Sequence, residues 1–296
     1  MRVAAVVPVR GQPDLLAGCL DALRAQVRAP DDIVVVDDSP ESILALAGDV
    51  REICSGGRGP YAARNVGWRA TEADVVLFLD ARSRPTPAWV GALAAAFDDP
   101  SVALAGSDTI VEDGPGLGAR AAHAQQSFRT TYYVERPFFR PYLPTCNLGV
   151  ARRDLEAVGG FSEVRSGADA DFCWRVLSDK SRRLVVVPGE LMTWVPRPSI
   201  REYLEQNHRY GRSNHALRAA WGAPPRAALP PLVLGRRIAR TVLRFAVASA
   251  RRDDERLVAT VRDAAWLANE LGYASAARAA RRAEAHGPPT PLSVSA

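Results

Sequence analysis

Lysine is nearly absent. Lys180 is the single lysine in a chain whose 38 basic residues are otherwise arginine. Alanine and proline are abundant beside it, a pattern that points to GC-rich coding. The net charge of +5 and pI near 9.3 therefore carry little ligand information by themselves. No nucleic-acid recognition motif accompanies the charge, and nucleic acid is not expected as a partner. Arginine still matters locally, because its planar fork grips phosphate with paired hydrogen bonds. Cysteine is scarce too: Cys19, Cys54, Cys146 and Cys173 stand far apart with no metal-ligand spacing. That excludes a disulfide scaffold or a zinc site and predicts free thiols in a reducing cytoplasm. Long hydrophobic runs are missing. A spanning helix needs about 18 or more apolar residues in a row, and none is expected here. Val3–Val9, directly after Met1-Arg2, is too short for a secretory leader and lacks a cleavage site. Neither a Gly-Lys-Ser/Thr phosphate loop nor a G-x-G-x-x-G dinucleotide turn is present.

What is present reads as alternating strands and helices. Apolar residues make up 47% of 296, enough for a sizeable core in one large or two modest domains. Val3–Val9 is a nearly continuous apolar run, as for a strand buried on both faces. Leu15, Leu16, Cys19, Leu20 and Leu23 follow at helical spacing, then the strand Ile33–Val36 closed by Asp37-Asp38-Ser39-Pro40. Val50–Cys54 is a short third strand. A glycine loop (Ser55 to Pro60) then opens a helix over Tyr61–Ala70, with Arg64 and Asn65 in its first turns. Glycines before a helix start expose N–H groups that can cradle phosphate. Further strands are expected at Asp74–Asp80, Val102–Val111 and Leu184–Val187, and helices at Ala88–Phe97, Arg152–Val158 and Ser199–Tyr210. Residues 112–143 carry many aromatics and read equally as a binding loop or a packing lobe.

The stretch Val75 to Pro85 stands out. Five apolar residues end on Asp80, and Arg82 and Arg84 follow at once. Ligands of open α/β sheets sit beyond the carboxyl ends of the strands, so an acid with two guanidiniums there suits a charged ligand. The plainer reading is that Asp80 caps the helix that starts near Trp89. Asp171 and Arg175, four apart, suit an ordinary helix ion pair and leave Asp169 for chemistry or capping.

Taken together, the motifs over residues 3 to about 215 resemble family 2 glycosyltransferases of the GT-A fold. They are the opening Val-Val-Pro-Val-Arg, Val35-Val36-Asp37-Asp38-Ser39, and Pro60-Tyr61-Ala62-Ala63-Arg64-Asn65-Val66-Gly67. Phe78-Leu79-Asp80-Ala81-Arg82, Asn147-Leu148-Gly149 with Gly159-Gly160-Phe161, and Asp169-Ala170-Asp171-Phe172-Cys173-Trp174-Arg175 continue the series. Gln206-Asn207-His208-Arg209-Tyr210 resembles the family's Q-x-x-R-W. The resemblance implies an α/β sheet flanked by helices: a nucleotide-sugar half over 1–110 and an acceptor half over 111–222. A helical extension over 223–285 and a Pro-rich tail over 286–296 would follow. It places the donor at Pro8, Val9, Arg10, Asp38, Arg64, Asn65, Asp80, Arg82 and Arg209. The acceptor would lie at Asn147, Asp171, Trp174 and Gln206, with Asp169 as the catalytic base of an inverting transfer from a nucleoside-diphosphate sugar to a hydroxyl.

Three departures alter the expected mechanism. The second acid of D-x-D is Arg82, the Glu before Asp169 is Ala168, and a histidine common in relatives is replaced near Val195. Mg²⁺ or Mn²⁺ needs several oxygens and keeps only Asp80 here. No metal cofactor is expected; Arg82, with Arg84 or Arg209, is expected to take its place against the leaving diphosphate. The same losses favour a second reading, an inactive GT-A domain that binds nucleotide or glycan. The expected acceptor is a small molecule or a cell-surface precursor. In the C-terminal helices, Arg237, Arg240, Arg244 and Arg251 share a face opposite Ile238, Val242 and Phe245. That suits a packed or dimerising helix, or one lying on the inner face of an anionic membrane; the short apolar face favours the former.

Overall fold

The computed structural model describes residues 1–41, 44, 48–224, 226–227 and 229–286. The expected tail lies outside the described residues from 287 on. The chain forms two compact units, one of Met1–Pro115 with Ala122–Arg197, the other of Gly116–Ala121 with residues from Pro198 on.

In the first unit, β1 (Val3–Val9), α1 (Pro13–Arg24), β2 (Asp32–Asp37) and β3 (Arg51–Cys54) lead to α2 (Pro60–Arg69). Then come β4 (Val75–Leu79), β5 (Ser83–Pro85), α3 (Trp89–Ala95), β6 (Val102–Val111) and α4 (Leu117–Gln125), whose first residues group with the second unit. β7 (Asn147–Ala151), α5 (Arg152–Val158), α6 (Ala168–Val176) and β8 (Arg183–Trp194) complete it. One sheet of eight strands runs β3-β2-β1-β4-β7-β6-β8-β5. Its pairs are mostly parallel: β1 with β2 and β4, β2 with β3, and β6 with β8. β7 runs antiparallel between β4 and β6, and β5 antiparallel to β8.

Every residue of β1 and β4 is buried. Their side chains divide between two core clusters, one around Leu16, Leu23 and Trp89, the other around Tyr61, Phe78 and Phe172. A strand covered on both faces needs apolar residues at every position, and the continuous runs reflect that.

Three elements differ from expectation. β7, a short run that reads as a lead-in to α5, is a central strand. β5 has only three residues. β8 runs past Pro188-Gly189 to Trp194. The partner of Ser107 is Val187 but that of Thr109 is Met192, so Pro188 to Leu191 bulge out of register. The ladder resumes because Met192 and Trp194 are buried. Within 112–143 the aromatics pack: Phe138 and Phe139 meet the Trp174 ring at 5.6 and 5.3 Å, and Tyr142 at 6.1 Å. Of the two readings of that region, the packing lobe describes these rings.

The second unit contains α7 (Ile200–Ala220), α8 (Pro231–Ala250) and α9 (Asp254–His286). α7 and α9 meet backbone to backbone at two glycines. A Cβ on Gly211 would stand 1.9 Å from the Asn269 carbonyl oxygen, and one on Gly272 2.0 Å from that of His208. Among the described residues no helix is long and apolar enough to cross a membrane.

Candidate active site

The carboxyl ends of β1, β2 and β4 lie side by side, and each hands the chain to a polar segment. Val9 pairs with Asp37 in the ladder, and the Asp38 N–H donates to the Val9 carbonyl at 2.7 Å. Beyond β4, the Asp80 N–H donates to Ser83 Oγ at 3.1 Å, and Ser83 Oγ donates to the Cys146 carbonyl at 3.0 Å. This turn fixes where the Asp80 carboxylate points. It does not cap α3, whose Trp89 N–H bonds to the Thr86 carbonyl.

The Asp80 carboxylate accepts a hydrogen bond from Arg64 Nη2. Arg64 lies in the first turns of α2 and is only 4% exposed. Its Nη1 donates to the Pro60 carbonyl at 3.2 Å, and its guanidinium sits 5.1 Å from the Tyr61 ring centroid. The hydroxyl of Tyr61, buried three residues earlier on the same helix, acts on the Asp169 carboxyl and favours its charged form. Asp169 is the second residue of α6 and also accepts the Ala170 N–H at 3.0 Å. Burial pushes its carboxyl above the ordinary range; the Ala170 N–H, the Arg64 charge and the Tyr61 hydroxyl pull the other way and lose. The Tyr61 hydroxyl is raised well above its usual value by burial and by the Asp169 charge. The buried Cys146 thiol, raised first by burial, also feels Asp80, Asp169 and Arg64. Two carboxylates and one guanidinium therefore share a small volume at the strand ends.

Asp80, Arg64 and Asp169 are thus brought together. The other residues named from the sequence sit differently. Pro8 and Val9 are buried in β1, and Arg10 is exposed beyond it. Asp38 Oδ1 accepts from Ser55 Oγ at 2.8 Å and the Gly59 N–H at 3.0 Å, holding the loop that starts α2. Arg82 is turned onto the end of β8, where Nη1 donates to the Val195 and Pro196 carbonyls, each at 3.2 Å. Its own carbonyl accepts the Val195 N–H at 2.9 Å. Arg82 therefore touches the segment around Val195 in which the other expected departure from the family pattern lies. Arg84 donates to the Ala81 and Ser83 carbonyls at 2.9 Å.

Several residues expected to contact ligand make framework contacts in the fold. The Asn65 amide is buried and clasps both the N–H and the carbonyl of Phe161, at 2.9 and 2.7 Å. Gly160 has φ of +81°, and a Cβ there would meet Asn65 Oδ1 at 2.5 Å, which is why this turn is glycine. Asn147, expected at the acceptor, is 1% exposed. It accepts from Trp89 Nε1 at 2.8 Å and donates to Ser107 and Thr109 at 2.9–3.0 Å. Trp174 is 1% exposed at the centre of the aromatic lobe and donates to the Arg140 carbonyl at 3.1 Å. Asp171 pairs with Arg175 at 3.0 Å and accepts from Ser162 at 2.7 Å. Gln206 and Arg209 lie on α7 in the second unit. Gln206 donates to the Tyr210 hydroxyl at 2.7 Å, and the Arg209 guanidinium lies 5.9 Å from the Tyr210 ring.

Mg²⁺ and Mn²⁺ demand several oxygen ligands. Among the described residues no group of three or more His, Cys, Asp or Glu stands close enough to hold a metal. The one D-x-D carboxylate carries Arg64, and the other position offers a guanidinium.

The profile of "Glycosyl transferase family 2" matches residues 4–159. The chain is 30% identical over 223 residues to the pre-mycofactocin glycosyltransferase of Mycobacterium tuberculosis, covering 71% of this chain and 46% of that protein. It is 28% identical over 185 residues to the glycosyltransferase AglE of Haloferax volcanii, covering 58% of this chain and 60% of the other. The chain thus spans about half the length of these relatives. A solved structure, the mannosyltransferase PcManGT from Pyrobaculum calidifontis in complex with GDP-Man and Mn²⁺, superposes with a TM-score of 0.55. It shares 18% identity, with 97% of this chain and 76% of the other covered, so it speaks to the fold alone. With strands, turn motifs and profile in agreement over more than half its length, the chain belongs to glycosyl transferase family 2.

Proposed function

We propose that the protein is an inverting glycosyltransferase that moves a sugar from a nucleoside-diphosphate sugar to an acceptor hydroxyl, with Asp169 as the base. The observation that carries this reading is the half-buried Asp169 carboxyl at the start of α6, acted on by the Tyr61 hydroxyl and the Arg64 charge. A carboxylate raised above its ordinary range is a stronger base while it remains deprotonated at neutral pH. The acceptor hydroxyl gives its proton to Asp169 as its oxygen forms a bond to the anomeric carbon. The bond from that carbon to the diphosphate oxygen breaks on the opposite face, so the configuration inverts and the electron pair leaves with the diphosphate.

The growing charge on that diphosphate needs a fixed cation. The geometry favours Arg64 over Arg82 as its source, because Arg64 is the guanidinium on Asp80. Arg82 supports the rim through the Val195 and Pro196 carbonyls. Metal-independent turnover follows from this reading. The similar mannosyltransferase structure is a complex with GDP-Man, which is consistent with a nucleotide-sugar donor here; a small molecule or cell-surface precursor is the acceptor in this reading. The test is a screen of nucleotide sugars for hydrolysis and transfer, with and without exhaustive chelation. Turnover that survives EDTA is expected. Loss with EDTA and rescue by Mn²⁺ would refute the cation assignment. Binding without turnover across an acceptor panel would favour the reading as an inactive binding domain.

A further inference from the structure

The helix α8 packs on α9 through a narrow stripe. Leu234, Thr241, Phe245 and Ala248, at helical spacing, are its only residues that are not exposed. The remaining surface falls into two arcs, with Val233 and Val247 set among the arginines of the second. At 100° per residue, Leu232, Ile238, Val242 and Leu243 fall within an arc of about 140°. Three of them are largely bare: Leu232 is 66% exposed, Val242 64% and Leu243 65%. Arg236, Arg240, Arg244 and Arg237 occupy the adjoining arc of about 100°. From Pro231 to Arg252 there are six arginines and no acidic residue. Arg244 is paired with Asp263 at 2.6 Å, and Arg237 stacks 5.0 Å from the Trp266 ring. Arg236 and Arg240 stand exposed at the border of the apolar arc.

We infer that this face of α8 lies in the plane of an anionic lipid bilayer. Bare leucine and valine enter the acyl boundary while the bordering arginines hold lipid phosphates. A helix with an apolar arc flanked by arginine matches a surface that is apolar below and negative at its rim. Arginine suits the border position because its stem can lie along acyl chains while the guanidinium reaches phosphate. A second copy of this chain is a poorer match. An antiparallel two-fold pairing brings identical basic flanks together, and in a parallel one α8 supplies no acid for its partner's arginines. Nucleic acid would use the arginines and leave the apolar arc in water. The inference concerns a surface separate from the Asp80–Asp169 site and does not rest on the proposed reaction.

The test is vesicle flotation of the full chain. Vesicles of phosphatidylcholine alone are compared with vesicles that also contain phosphatidylglycerol, at about 0.1 M and about 1 M salt. The expected result is recovery with the anionic vesicles at low salt, and little with the neutral ones. Leu243→Asp and the pair Arg236→Glu/Arg240→Glu should each cut the bound fraction by at least about tenfold. Both alter exposed positions, and unchanged circular dichroism and melting show that each variant folds. No recovery on anionic vesicles, or equal recovery on both kinds, overturns the inference. So does recovery that persists in Leu243→Asp. A concentration-dependent dimer that Leu243→Asp abolishes, with no flotation, would assign the face to a second copy instead.

Discussion

Replacing Arg64 by methionine keeps most of the side-chain volume and removes the charge. Two effects follow from the geometry. Breaking a buried ion pair by deleting one partner costs about 3–5 kcal/mol, because the survivor is left uncompensated. Arg64 is 4% exposed but the Asp80 side chain is 33% exposed, so solvent repays part of that loss. A cost of about 1–3 kcal/mol is expected, nearer the lower end. Asp80→Asn should lose a similar amount, and the double variant less than the sum, since neither charge then remains to be orphaned. The second effect is on Asp169. Arg64 lowers that carboxyl's pKa against the larger push of burial. Without Arg64 it rises further, so the acid limb of kcat/KM moves to higher pH. The assays are urea unfolding of the four proteins and a pH profile of transfer with the proposed donor class. Additivity of the two single changes within about 0.5 kcal/mol would refute the coupling. An unmoved acid limb in Arg64→Met would refute the electrostatic link to Asp169.

Tyr61→Phe removes the hydroxyl that steadies the charged form of Asp169, so its acid limb should also move to higher pH; a profile superposing on wild type would contradict the contact. Because the Asp169 carboxyl is raised in the folded protein, its contribution to stability falls as pH rises from the ordinary carboxylate range through the folded value; replacing it by asparagine should flatten that part of a melting-temperature profile. Asn147→Ala should cost about 2–5 kcal/mol, since it orphans the buried Trp89 Nε1 and the Ser107 groups. Unchanged melting with weakened acceptor binding would restore Asn147 to the acceptor site.

The parallel half of the sheet is legible because strands covered on both faces must be apolar; β1 and β4 are so throughout, and β2 is so between its terminal Asp32 and Asp37. β7 was hidden by brevity and by Gly149, whose missing side chain lets Leu77 and Phe97 approach. Pro188-Gly189 suggested that β8 ended there, whereas the buried Met192 and Trp194 draw the chain back into the sheet. In the site, motif order points to Asp80, Arg64 and Asp169; the fold sets Arg64 on Asp80 and brings its charge to bear on Asp169. Tyr61 was not named, because nothing local marks a hydroxyl whose partner lies far along the chain. Asn65, Asn147 and Trp174 occupy motif positions yet serve the framework. Their polar groups satisfy backbone and side-chain partners that burial would otherwise strand. Arg82 illustrates the remaining gap: sequence shows where a cation replaces an acid, and only the fold shows that it faces two carbonyls.

The central claim is that Asp169 takes the acceptor proton. It is tested most directly by measuring single-turnover transfer and donor binding in Asp169→Asn. The account predicts a fall in transfer of about 10²–10⁴-fold with donor affinity unchanged. Transfer at the wild-type rate in that variant would contradict it.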